Sequence, residues 1–193
     1  GTSWDNRTSG TANALNGVTY GNNLFVAVGD SGTILTSSNN GTSWDNRTSG
    51  TANALHGISY INNTFMAVGV GGSILTSSNG TTWTAKTSGT TLRLYGVTFG
   101  DNTFVVVGTD GKIITSSDGN SWTSRTSGVS VQFWDVCYWN NIFVVVGETG
   151  TILTSSDGNS WTSRTSPTGN KILNGITYTN SNLVVVGVDG VII

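Results

Sequence analysis

Charge is what this chain has least of. Only 9% of its 193 residues are Asp, Glu, Lys or Arg, and the formal net charge is −2. Self-repulsion therefore does not oppose folding. The basic excess that grips a phosphate backbone is missing, so no nucleic-acid partner is expected. A single cysteine, Cys137, rules out an intrachain disulfide and a thiolate metal cluster. Its plain reading is a small buried hydrophobe in a strand. A single histidine, His56, rules out a His-rich metal site, and neither a metal nor a cofactor is expected. No apolar run reaches the roughly 18 residues of a membrane-crossing helix, so no membrane insertion is expected. The chain starts at Gly1 without a Met and reads as a mature, trimmed or excised form. The polar surface must come from Ser, Thr, Asn and Gly, which suits an extracellular or surface-exposed setting.

What is present is repetition. A Trp follows Gly-x-Ser/Thr or its shortened form at Trp4, Trp44, Trp83, Trp122 and Trp161, at steps of 40, 39, 39 and 39 residues. Residues 1–15 and 41–55 are identical. The repeats begin near residues 1, 41, 80, 119 and 158 of a single domain spanning 1–193. Each full unit carries four strand-like runs, in the first LNGVTY (15–20), LFVAVG (24–29), TILTSS (33–38) and SWDNRTS (43–49). Gly- and Asn-rich connections of two to four residues separate them, too short for parallel crossovers, so neighbours must be antiparallel.

The second run is apolar throughout, as in Phe104-Val105-Val106-Val107, and predicts a strand covered on both faces. The fourth run alternates and carries charge, as in Trp44-Asp45-Asn46-Arg47, and predicts an edge strand. Sheets sandwiched between neighbouring sheets, each with one polar edge, are the blades of an all-β propeller. Residues 3–9 supply a fourth strand without its first three, and 172–193 supply three strands without a fourth. The expected architecture is a five-bladed β-propeller of four antiparallel strands per blade. Its ring closes by a composite blade of 172–193 plus 3–9, and a monomer is expected.

The turns before the Trp residues resemble the Asp-box, or BNR, hairpin. Ser37-Ser38-Asn39-Asn40-Gly41-Thr42-Ser43-Trp44 has its spacing with Asn for Asp. Ser116 to Trp122 and Ser155 to Trp161 keep Asp118 and Asp157 but are one residue shorter, and Ser77 to Trp83 is short with Asn79. With the Gly-Val-Thr-Tyr and Val-Gly-x-x-Gly-x-Ile-Leu runs, the whole chain is similar to propellers of the sialidase and photosystem II assembly-factor type. The resemblance implies that the box is a fold element on the outer part of the blade. Sialidase chemistry does not carry over. That family's site needs three arginines converging near the axis, a Tyr–Glu nucleophile pair and an acid Asp. Here Arg7, Arg47, Arg125 and Arg164 share one place on the outer strand, and Glu148 is the lone glutamate. A paired-carboxylate glycosidase would need Glu148 with Asp110 or Asp135 at a fixed separation. No catalytic residue is assigned.

Comparison among the repeats locates a binding face. Core positions barely vary, but the residue entering the first strand reads Asn16, His56, Tyr95, Trp134 and Asn174. Just before it stand Arg93, Gln132 and Lys171, and the turn between the second and third strands varies too, with Asp110 and Glu148. Propeller topology puts both columns on one surface. The plain reading is drift in exposed loops. The functional reading is a ligand-binding face of these ten residues, where aromatics beside amides suit a glycan, as in a lectin of the tachylectin type, similar in architecture alone. The alternatives are a protein-interaction scaffold or assembly factor, which the same residue types also suit, or a symmetric repeat protein with no selected ligand. Trp139 stands apart on the opposite face, and Asp135 replaces the glycine found at Gly17, Gly57, Gly96 and Gly175.

Overall fold

A computed structural model describes residues 3–193. The first sheet is β1 (Leu15–Gly21), β2 (Leu24–Gly29), β3 (Ile34–Ser37) and β4 (Asp45–Arg47). The second is β5 (Leu55–Ile61), β6 (Thr64–Gly69), β7 (Ile74–Ser77) and β8 (Thr84–Lys86). The third is β9 (Leu94–Gly100), β10 (Thr103–Gly108), β11 (Ile113–Ser116) and β12 (Thr123–Arg125). The fourth is β13 (Phe133–Trp139), β14 (Ile142–Gly147), β15 (Ile152–Ser155) and β16 (Thr162–Arg164). These four are antiparallel and ordered as in the chain. The fifth pairs β17 (Leu173–Tyr178) with β18 (Leu183–Gly187). Residues 191–193 return along β18, with Val185 and Ile193 exchanging backbone hydrogen bonds at 2.7 and 3.0 Å. The chain is an all-β propeller of antiparallel four-stranded sheets.

Each first hairpin turns on two residues in the left-handed region, such as Asn22 (φ 48°) and Asn23 (φ 58°), or Asp101 and Asn102. Both central residues at positive φ make the turn whose twist matches the flanking strands, and Asn and Asp tolerate it best. The second-to-third connection is not a simple hairpin. It is a single 3₁₀ turn, Asp30–Gly32, with Ser31 and Gly32 both at positive φ. The outer strands are short and mostly exposed, and the Arg47 guanidinium reaches back to donate to Thr36 Oγ1 at 2.8 Å. Arg125 and Arg164 do the same to Thr115 and Thr154.

The core lies between sheets. Val26, Val28 and Ile34 of the first sheet pack on Leu55, Ile58, Phe65 and Ala67 of the second, and equivalent clusters fill the next three junctions. Inner strand packs on inner strand in sequence, β1 on β5, β5 on β9, β9 on β13 and β13 on β17. The outermost faces are open. Val18 is 63% exposed where its equivalent Ile58 is 8% exposed, and Ile192 is 73% exposed. Residues 3–9 form no strand, so the expected composite blade is not assembled in this structure.

The Ser-x-Asp turns work as the sequence implied. Asp118 Oδ1 accepts the N–H groups of Asn120 and Ser121 at 2.8 Å each, and Asp157 accepts those of Asn159 and Ser160. These backbone bonds to the charged form hold both carboxyls down at about 2. Asn39 and Asn79 take the same role.

Candidate functional site

Backbone hydrogen bonds bring the two variable columns together. In every sheet the residue opening the 3₁₀ turn donates its N–H to the carbonyl just before the first strand. The pairs are Asp30 to Ala14, Val70 to Ala54, Thr109 to Arg93, Glu148 to Gln132 and Val188 to Ile172, at 2.9–3.0 Å. The preceding glycine makes this approach possible. A Cβ on Gly29 would stand 2.0 Å from the Ala14 carbonyl oxygen, inside any tolerable contact. Both columns therefore lie on one face, as the topology predicted.

At the centre of that face three side chains stack from strand to strand. The His56 ring on β5 lies 4.9 Å from Tyr95 on β9, nearly parallel at 24°. Tyr95 lies 4.8 Å from Trp134 on β13, tilted by 52°. The result is a continuous aromatic ladder across three inner strands. Two of its polar atoms, His56 Nε2 and Trp134 Nε1, are buried without a protein partner. An unpaired buried polar atom costs on the order of 1–3 kcal/mol, so a ligand that pairs with either gains that much. Burial lowers the His56 pKa, the Arg93 guanidinium lowers it further, and Asp30 opposes both. The imidazole is thus neutral at physiological pH.

The remaining sequence-assigned residues surround the ladder. Asn16 Nδ2 donates to Asp30 Oδ1 and to the Leu55 carbonyl, each at 3.0 Å, bridging the first two sheets. Glu148 accepts the Gln132 N–H at 3.3 Å. Lys171 pairs with Asp189 at 3.7 Å, an exposed contact of little energetic weight. Arg93, Asp110 and Asn174 are exposed. The structure thus gathers His56, Tyr95 and Trp134 into one surface and ties Asn16, Gln132, Glu148 and Lys171 to neighbouring loops. Asp110 stands farther out, on the third-sheet turn. Sequence reasoning left out Asp30 and Asp189, although both lie in the variable turn column that pointed to Asp110 and Glu148.

The largest recess, about 700 Å³, lies elsewhere, between the second sheet's 3₁₀ turn and its outer strand, with Thr51, Ser73, Lys86 and Thr90 among its walls. Smaller recesses of about 530 and 340 Å³ occupy equivalent places in the first and third sheets. A hollow that recurs wherever the repeat recurs is a product of the repeat. The ladder occurs once, and that favours it as the site.

Two residues singled out in the sequence have structural roles. Trp139 donates its indole N–H to the Thr179 carbonyl at 3.0 Å and ties the fourth sheet to the fifth. Asp135 Oδ2 accepts the Ile176 N–H at 3.0 Å and Oδ1 accepts the Val136 N–H at 2.8 Å, another tie between these sheets. Burial nonetheless raises its pKa above the ordinary 3.8, against the pull of those two bonds. Cys137 is buried, and its thiol is pushed up to about 12 by burial and by the neighbouring Asp135. Among the described residues no group of three or more His, Cys, Asp or Glu is placed to hold a metal ion.

Residues 2–133, well over half of the chain, match the DUF6242 beta propeller domain. No curated protein matches. Solved structures match at low identity and so show the fold alone. "YCF48 bound to D1 peptide" superposes with a TM-score of 0.70 at 17% identity, over 93% of this chain and 62% of that one. The WD40 beta propeller domain of Doa1 gives 0.74 at 15% identity, over 94% and 64%. The computationally designed Ika8 protein gives 0.73 at 16% identity, over 93% and 57%. The chain spans about three fifths of the length of these propellers.

Proposed function

The chain belongs to the DUF6242 beta propeller domain family, and from that membership we propose that it is a non-enzymatic module that binds a protein segment across the aromatic ladder. The carrying observation is the ladder itself, His56–Tyr95–Trp134, with two buried polar atoms left without partners. Flat rings on rigid inner strands offer contact area at little entropic cost, and the unpaired Nε2 and Nε1 atoms suit the amides and carbonyls of an extended peptide. Arg93, Asn16, Asn174, Gln132 and Lys171 rim the ladder, with Asp110 and Glu148 as acidic outposts. One of the similar folds is a propeller solved with a bound peptide, and this supports a protein partner over a glycan. The Ser-x-Asp turns serve as Asp-box fold elements away from this face. Catalysis is not part of the reading, because Glu148 and Asp135 both spend their carboxylates on backbone N–H groups.

Selection of a displayed peptide library on the folded protein, with a glycan array in parallel, tests the proposal. Enriched peptides should lose at least tenfold in affinity on Trp134→Ala or Tyr95→Ala, the loss expected for an aromatic anchor worth about 2 kcal/mol. Peptides that bind both variants as tightly as the native protein, or selective glycan binding with no peptide enriched, would overturn it.

A further inference from the structure

Both ends of the sheet array expose halves of an interface that the molecule builds four times internally. At the first junction Val26, Val28 and Ile34 form one half, and Leu55, Ile58, Tyr60 and Phe65 form the other. The repeat register makes Val184, Val186 and Ile192 of the last sheet the equivalents of the first set. Leu15, Val18, Tyr20 and Phe25 of the first sheet are the equivalents of the second set. Both of these terminal sets are open: Leu15, Val18, Tyr20, Val186 and Ile192 are exposed large apolar side chains. Neither terminal face presents a charge in these positions, and each carries the partner shape of the other.

The outer edge repeats the same logic. Ser9, Thr11 and Asn13 make the hydrogen-bonded turn that Ser49, Thr51 and Asn53 make after β4. Residues 3–9 thus approach the first sheet as each fourth strand approaches the sheet that follows it. Ser3, Trp4, Asp5 and Arg7 face Val18, Phe25 and Trp44 across a recess of about 370 Å³. Trp4 is 93% exposed, where its equivalents Trp83 and Trp161 pack into their sheets. The last sheet meanwhile stops at residues 191–193, with no outer strand beside them.

We propose that the last sheet of one molecule docks on the first sheet of a second copy, whose residues 3–9 pair with residues 191–193 as the missing outer strand. The existing pairs Ile34–Arg47 and Leu35–Asn46 set the register. They place Arg7 of one copy opposite Ile192 of the other, and Asn6 opposite Ile193. The interface is head-to-tail, so it joins unlike faces and can add copies until a ring closes. A second copy is favoured over the chain's own far end because the five sheets superpose almost completely on three fifths of larger propellers. Their curvature is that of a ring they do not fill.

Sedimentation of the full chain across micromolar concentrations, with Val18→Lys and Ile192→Lys variants, tests this. Native protein should sediment as a concentration-dependent assembly of at least two copies. Each variant alone should be monomeric, with a native β-sheet circular dichroism spectrum. An equimolar mixture of the two should restore a one-to-one dimer, because each supplies the face the other has lost. Native protein that stays monomeric at every concentration overturns the proposal and assigns the faces to the chain's own two ends or to blades of another polypeptide. An assembly that survives either variant alone overturns it too.

Discussion

Gly17, Gly57, Gly96, Asp135 and Gly175 occupy one register of the inner strands, and their surroundings explain both the rule and its exception. A Cβ on Gly57 would sit 2.0 Å from the Tyr95 carbonyl oxygen of the next inner strand. A backbone carbonyl cannot step aside, so Gly57→Ala should cost about 1–3 kcal/mol, read from urea unfolding. Between β13 and β17 a carboxylate occupies the gap and makes two backbone bonds. Its raised pKa fixes the sign of a pH effect. The folded state holds this proton more tightly than the unfolded chain does. The stability it contributes is therefore full below about 3.8 and is lost as pH rises through the raised value. Melting temperatures from pH 3.5 upward should show that loss, and Asp135→Asn should flatten it. His56 runs the opposite way, its lowered pKa costing stability as pH falls below 6.5. The sequence marked Asp135 as an anomaly but not its partner, because Ile176 is 41 residues away and only packing brings its N–H there.

At the scale of the element, the hairpins and the outer turns were readable because their chemistry is local. Asn-Asn and Asp-Asn pairs occupy positions that need positive φ at both residues. Asn63→Gly should therefore be tolerated, whereas Asn63→Val should cost about 1–2 kcal/mol for forcing a branched side chain into the left-handed region. Chemical denaturation distinguishes the two. The Asp118 and Asp157 carboxyls should titrate near 2 by NMR, because each accepts two N–H groups of its own turn. The stability tied to their depressed pKa is present above about 3.8 and is lost as pH falls through 2. The 3₁₀ turns were misread as plain hairpins. Their shape is imposed by the long-range backbone bond to the loop before the first strand, which no local pattern announces.

Over the whole molecule, sheets depend on one another. Phe65 is fully buried in the junction between the first two sheets, against Tyr60 and near Trp83. Phe65→Ala should cost about 3–5 kcal/mol and should loosen both sheets together in hydrogen exchange. Repetition, sheet order, strand alternation and the shared face of the two variable columns followed from the sequence, since each depends on spacing and on contacts within one repeat. What the tertiary structure decided lies between repeats. It stacked His56, Tyr95 and Trp134 into one ladder, set Asp135 across a junction, and left the first and last faces open. Those outcomes depend on the angle at which one sheet meets the next. That angle is set by the summed packing of side chains about 40 residues apart, which is why a single repeat cannot declare it.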